Sequence, residues 1–274
     1  MKNRQSCARI LYVTSATRMV FMLSINIFLA RIWDWFWATN TILNWPLSKL
    51  IELRGNYIWV DGVQLSLNTY HIPTIKKFNL ARTYELPERT LAKLHINPEI
   101  PLLELGAFIG GVACITNKLL KHPSLHVVVE VNPAILGVLK YNKELNDAQF
   151  TILHGAIGYD TKEFFISDYG MSTTISSESD STSTRVQALT LENILQKTKY
   201  EYISLICDIE GSEISLVKNE AHILAQFVAT IIMETHPGIT EQISINDMLK
   251  NLYSKGFSII DKIDNVYVLS NNKL

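Results

Sequence analysis

The chain has 274 residues, 47% of them hydrophobic and 19% charged, with 25 basic and 26 acidic side chains. That length and apolar content suit one large α/β domain with an appendage, and exclude a disordered chain, a collagen repeat or a disulfide-stapled miniprotein. A net charge of −1 gives no global reason to expect nucleic acid as a partner, and three scattered cysteines (Cys7, Cys114, Cys207) without a CxxC pair fit reduced thiols in a reducing, cytoplasmic setting.

The charge is uneven. Lys2, Arg4, Arg9, Arg18 and Arg31 fall at the start of the chain, with no acid before Asp34. Residues 19–30 form an uncharged run, and Trp33, Trp35, Phe36, Trp37 and Trp45 follow it. A spanning helix needs about 20 apolar residues, and Arg31 and Asp34 interrupt this run. Three readings of residues 1–50 stay open: a helix packed on the body or on a second subunit, a segment lying peripherally on the inner membrane face, and a true span or cleaved signal.

Residues 51–98 read as a hairpin and a helix leading into the core. Two strand-like runs, 57–60 and 63–67, flank Asp61-Gly62, the strongest short hairpin signal because a type I′ turn needs positive φ at both central positions. Pro87 then opens a short helix through residue 94, at a position where its missing N–H does no harm.

Residues 99–274 form the body, in which strands and helices alternate. Strands are expected at 101–105, 125–131, 150–153, 202–207 and 230–233. Helices are expected from 106 to about 120, at 134–145, 212–218 and 245–255, with Gly256 ending the last. A hairpin-like pair, 257–260 and 266–269, closes the chain. This alternation means an α/β fold with a doubly wound, mostly parallel sheet covered on both faces, where ligands bind at the carboxyl ends of the strands.

At the first such end stands Glu104-Leu105-Gly106-Ala107-Phe108-Ile109-Gly110. Gly106 permits a sharp turn and Gly110 a close backbone approach at the next helix start. The spacing is not the dinucleotide G-x-G-x-x-G, so a ligand without a diphosphate is favoured. At the second strand end Glu130 is placed to accept hydrogen bonds from ribose hydroxyls. Asp208 ends the fourth strand, with Glu210 and Glu213 just beyond it. Glu234 and His236 end the fifth and alternate onto one face. His236 is the candidate general base, because an ordinary imidazole titrates near neutrality, and Asp208 and Glu210 are its catalytic companions. No HExxH, CxxC or aspartate-rich loop demands a metal.

Glu104-Leu105-Gly106-x-x-x-Gly110 followed by Glu130-Val131-Asn132-Pro133 resembles motifs one and two of class I S-adenosylmethionine-dependent methyltransferases, whose sheet has seven strands. More narrowly, Asp208-Ile209-Glu210-Gly211-Ser212-Glu213, the lead-in at 186–195 and Glu234-Thr235-His236-Pro237 resemble the FkbM family over about residues 84–237. Cys207 stands where that family has a lysine. The resemblance implies S-adenosyl-L-methionine held by Glu104, Gly106, Ala107, Gly110, Glu130, Asn132, Ala156 and Asp208. It implies O-methylation of a hydroxyl on a sugar, glycan or related natural product.

Residues 172–184 are dominated by Ser and Thr, which reads as a solvated connection with a lid at Ser172 and Thr173. Ser172, Thr173, Glu213 and Glu234 are the expected acceptor-binding residues. Two other readings stand beside this one: a membrane-tethered binding module on a methyltransferase fold, and a nicotinamide-dependent oxidoreductase, which would want the absent G-x-G-x-x-G.

Overall fold

The protein is described by a computed structural model over residues 41–159, 161–169, 172–176 and 183–274. The basic, aromatic run expected within residues 1–40 and most of the distal serine-rich stretch lie outside the described residues. Helix α1 (Thr41–Leu53) crosses the boundary expected at residue 50. Among the described residues no helix is long and apolar enough to cross a membrane.

Strands β1 (Tyr57–Val60) and β2 (Val63–Ser66) pair antiparallel around Asp61 and Gly62, whose φ values of 46° and 80° are the two positive angles a type I′ turn needs. Helices α2 (Thr74–Thr83) and α3 (Leu86–His95) follow, where the sequence suggested only the second. The apolar pattern of α2 is broken by Lys77, which turns inward to Glu52 at 2.8 Å and Asn56 at 2.7 Å.

The body runs β3 (Leu102–Leu105), α4 (Gly111–Asn117), β4 (His126–Glu130), α5 (Leu136–Leu145) and β5 (Thr151–His154). After an inserted small sheet come α6 (Leu191–Thr198), β10 (Ile203–Cys207), α7 (Glu213–Phe227), β11 (Val228–Glu234), α8 (Gln242–Lys255), β12 (Phe257–Ile263) and β13 (Val266–Asn271). The seven strands lie in the order β12-β13-β11-β10-β3-β4-β5. Neighbours from β11 to β5 are parallel, and only β13 is reversed, so the expected doubly wound, mostly parallel sheet is what forms.

Alternation sends side chains to two covered faces. Leu103, Leu105, Val127 and Val129 point to the face packed by α6, α7 and α8. Val128 faces α4, α5 and the β1–β2 hairpin, while Leu102 packs with α3. Chain order reverses between β3 and β10, which opens the crevice where such sheets bind ligands.

The inserted sheet, ordered β6-β9-β7-β8, takes in residues 172–176, the start of the serine-rich stretch, where the sequence suggested a lid. β6 (Ala156–Ile157), β7 (Glu163–Tyr169), β8 (Ser172–Ser176) and β9 (Thr184–Leu189) build it, and β8 pairs antiparallel with β7. Threonine and isoleucine have good strand propensity, and the abundance of serine disguised it.

Candidate active site

A pocket of about 340 Å³ opens at the carboxyl ends of the central strands. Six residues expected from the sequence line it: Gly106, Glu130, Asn132, Ala156, Asp208 and Glu210. They come from the ends of β3, β4, β5 and β10, so no short stretch of chain forms the pocket alone.

The loop after β3 is a fitted element. Gly106 has φ of 83°, and a Cβ there would sit 1.7 Å from the carbonyl oxygen of Asp208, so any side chain would collide with backbone. Phe108 adopts φ of 47°, a left-handed conformation that costs a bulky residue energy. Glu130 fixes that loop. Its Oε2 accepts from Phe108 N–H at 2.7 Å and Ala107 N–H at 3.2 Å, and its Oε1 accepts from Asn132 N–H at 2.7 Å. Glu130 also lines the pocket, so the carboxyl that fixes the loop is within reach of a ligand there. Burial raises the Glu130 pKa, against the lowering effect of these backbone bonds.

Three motif positions do other work than expected. Glu104 does not line the pocket: it shares the face of Leu102, lies one residue short of the strand end, and is 1% exposed. Burial, then the charges of Asp208 and Glu130, push its pKa well up. His126 lies 3.6 Å away and burial lowers it to about 3, so despite its ion-pair spacing this is a neutral pair. Gly110, with φ of 82°, caps α4; a Cβ there would meet Leu139 at 2.5 Å, so helix packing is the demand it meets. Ala107 contributes its N–H to Glu130 and carries its side chain into the core.

Beyond the pocket floor, His236 gathers the remaining acids. Its Nε2 lies 3.3 Å from Asp208, 3.7 Å from Glu210 and 3.8 Å from Glu234, and its Nδ1 lies 3.4 Å from Glu213. Burial lowers the His236 pKa, but hydrogen bonding to Asp208 and Glu213 together with their charges outweighs it and raises the value to about 11. The ring is therefore protonated at neutral pH. The general-base role expected of His236 thus falls on a ring whose proton Asp208 and Glu213 favour. Glu213, expected to touch the acceptor, is 3% exposed on its side chain and accepts from Ile209 N–H at 2.8 Å and Gly211 N–H at 2.9 Å. It braces the loop that carries Glu210.

Burial, then the charges of Asp208 and Glu88, raise Glu234 to about 8, and Glu88 shares a hydrogen bond with it. Burial and Asp208 likewise raise Glu210. One donor atom each from Asp208, Glu234 and His236 lies within 4.8 Å of the others, so these are the described residues that could share a cation. Ser172 and Thr173 open β8, paired with Tyr169 and Asp168.

Sequence reasoning missed Lys76, Glu85, Phe108 and Ile135 in the pocket wall. Lys76 and Glu85 come from α2 and the turn before α3, elements with no motif to flag them. Phe108 was noticed only as a break in a glycine pattern, although its positive φ gives the loop the bend a glycine would.

The strand order and the pocket at the switch point define a class I methyltransferase fold. The sequence family described as the methyltransferase FkbM domain matches residues 104–259, more than half the chain, and the protein belongs to that family. No curated protein sequence matches it. Among solved structures it is similar to a precorrin-6y C5,15-methyltransferase from Geobacter metallireducens (12% identity, 66% of this chain and 85% of that one, TM-score 0.41). It is also similar to a protein of the NADB-Rossmann superfamily from Streptococcus agalactiae (13% identity, 67% of each chain, TM-score 0.43). A third is a ribosomal protein L11 methylase from Lactobacillus delbrueckii subsp. bulgaricus (10% identity, 69% of this chain and 77% of that one, TM-score 0.41). Likenesses this distant carry no argument about substrate.

Proposed function

We propose that this methyltransferase uses S-adenosylmethionine to methylate a hydroxyl oxygen of a sugar, glycan or related natural product. The observation that carries the reading is the joint placement of Gly106, Glu130, Asn132, Ala156 and Asp208 around one pocket. The donor set fits the cofactor: an acid at the second strand end for ribose hydroxyls, a small residue for the space of a base, and carboxylates for positive charge.

When bound, the cofactor supplies a methyl group made electrophilic by sulfonium. The work of the protein is alignment. Glu130 accepts from the ribose while it holds the loop at Ala107 and Phe108. Asp208 meets the positive charge of the cofactor, and Glu210, with a raised pKa, takes the proton of the acceptor hydroxyl as its oxygen attacks. Protonated His236 keeps the surrounding carboxylates in place and limits their mutual repulsion. The sugar or glycan acceptor rests on the family resemblance. The basic head at residues 1–50 is proposed to meet a membrane surface, which would suit a lipid-linked glycan acceptor; nucleic acid is not proposed as a partner.

The test is transfer of labelled methyl from S-adenosylmethionine to a panel of hydroxylated glycans, with alkali treatment of the product. A base-stable label on oxygen supports the reading. Base-labile ester or label on nitrogen would redirect it to another acceptor class.

A further inference from the structure

Helix α1 is turned with a polar side inward. Asn44 and Ser48 are buried, and the Ser48 hydroxyl accepts from Phe78 N–H at 3.0 Å and donates to the Ile75 carbonyl at 3.5 Å. The outward side carries Trp45, Lys49, Leu50 and Leu53 at helical spacing. Trp45, Leu50 and Leu53 are 55%, 49% and 81% exposed. A helix that packs on a globular body and faces water presents the reverse arrangement.

The apolar exposure continues onto the hairpin. Only Arg54, Gly55 and Asn56 separate α1 from β1, and Asn56 N–H donates to the Ile51 carbonyl at 2.9 Å, which ties the two elements end to end. In β1 the side chains of Ile58 and Val60 join the core, and Trp59 between them points outward, 68% exposed. Single exposed apolar side chains are ordinary, whereas two indoles and two leucines on adjoining elements mark a contact surface.

The charges beside these side chains are basic on balance. Lys49 Nζ lies 5.9 Å from the centroid of the Trp45 ring, and Arg54 is exposed. The neighbouring acid, Glu52, is already paired with Lys49 and Lys77. The sequence leading into α1 has the same character: five basic residues with no acid before Asp34, an uncharged run at 19–30, then Trp33, Trp35 and Trp37. Indoles and aliphatic side chains interspersed with cations match the boundary between acyl chains and anionic headgroups, and that excess of cations favours a lipid surface over a second copy of the chain.

Resting on the reading that residues 1–50 meet a membrane, we propose that the outward face of α1, together with Trp59 of the hairpin, docks peripherally on an anionic lipid bilayer. Trp45, Leu50, Leu53 and Trp59 enter the headgroup boundary, and Lys49 and Arg54 meet lipid phosphates. Through Ser48, α1 packs on α2, which supplies Lys76 to the pocket wall. Docking therefore places the bilayer contact and the pocket wall on successive helices, an arrangement that suits an acceptor carried on a lipid.

The test is co-sedimentation of the full chain with vesicles of phosphatidylcholine alone and of phosphatidylcholine with phosphatidylglycerol. The wild type is expected to bind the anionic vesicles at least fivefold more tightly than the neutral ones. The double variant Leu53→Ser, Trp59→Ser is expected to weaken anionic-vesicle binding at least fivefold with an unchanged circular dichroism spectrum. Trp59→Ser alone, on the hairpin rather than the helix, is expected to weaken it at least twofold and serves should the double variant fail to fold. Tight vesicle binding untouched by either variant would overturn the docking face while leaving the membrane reading of residues 1–50 intact. Failure of the folded wild type to bind anionic vesicles would remove both. Self-association of the wild type in size-exclusion chromatography, abolished by the double variant while vesicle binding persists, would assign the face to a second copy and overturn the proposal.

Discussion

The Nε2 of His236 lies 3.3 Å from the carboxylate of Asp208, joining the carboxyl ends of β11 and β10 across the pocket floor. With Glu213 on its other nitrogen, the ring belongs to an ion-pair network and holds its proton to about pH 11. In the ligand-free protein the His236 resonance is therefore expected not to titrate between pH 5 and 9 when followed by NMR. Asp208→Asn is expected to bring its pKa down by at least about one unit. A midpoint near 6.5 in the wild type would show that the network does not hold the proton.

Glu104 makes a different prediction, because its carboxyl is buried without a hydrogen bond to Oε2. Its folded-state pKa lies well above the ordinary 4.5, so the folded protein keeps a proton that the unfolded chain releases. The associated stability is present below about pH 4.5 and is lost as pH rises toward the folded value. Glu104→Gln removes that dependence. It is expected to stabilise the fold at pH 8 by on the order of 1–2 kcal/mol and to differ little from the wild type at pH 4. Denaturant melts at both pH values check this, and destabilisation at pH 8 would mean that the ionised carboxylate is supported after all.

Two glycines should respond in opposite directions to alanine. At Gly106 the new Cβ meets the Asp208 carbonyl and a positive φ, so Gly106→Ala is expected to cost about 3 kcal/mol or more. At Gly137, in α5, nothing lies within 4 Å, and Gly137→Ala is expected to stabilise by roughly 0.5–1 kcal/mol. Equal effects at the two positions, read from urea midpoints, would contradict the role assigned to the loop.

What the sequence made legible was the part governed by strand ends. The alternation of apolar runs located β3, β4, β10 and β11, and residues at or just past their ends, including Glu130 and Asp208, reach the pocket. Glu104 was misread because a motif position was given a ligand-facing role, although alternation with Leu102 and distance from the strand end both put it inside. Glu85 and Lys76 were missed because the turn before α3 and helix α2 reach the pocket only through tertiary packing. The small sheet was missed because Ser and Thr read as solvated chain until a partner strand such as β7 is in place. His236 was found, but its charge depends on Asp208 and Glu213, which the turn after β10 brings against the end of β11, and spacing in one strand could not reveal that.

The account rests most directly on Glu130 and its pocket. Calorimetry of S-adenosylhomocysteine and of NAD against the wild type and Glu130→Ala is the measurement to make. The expected result is binding of the adenosyl thioether alone, weakened at least tenfold by Glu130→Ala as both its ribose contact and its hold on the loop N–H groups disappear. Absence of adenosyl thioether binding to correctly folded wild-type protein, or binding untouched by the substitution, would contradict it.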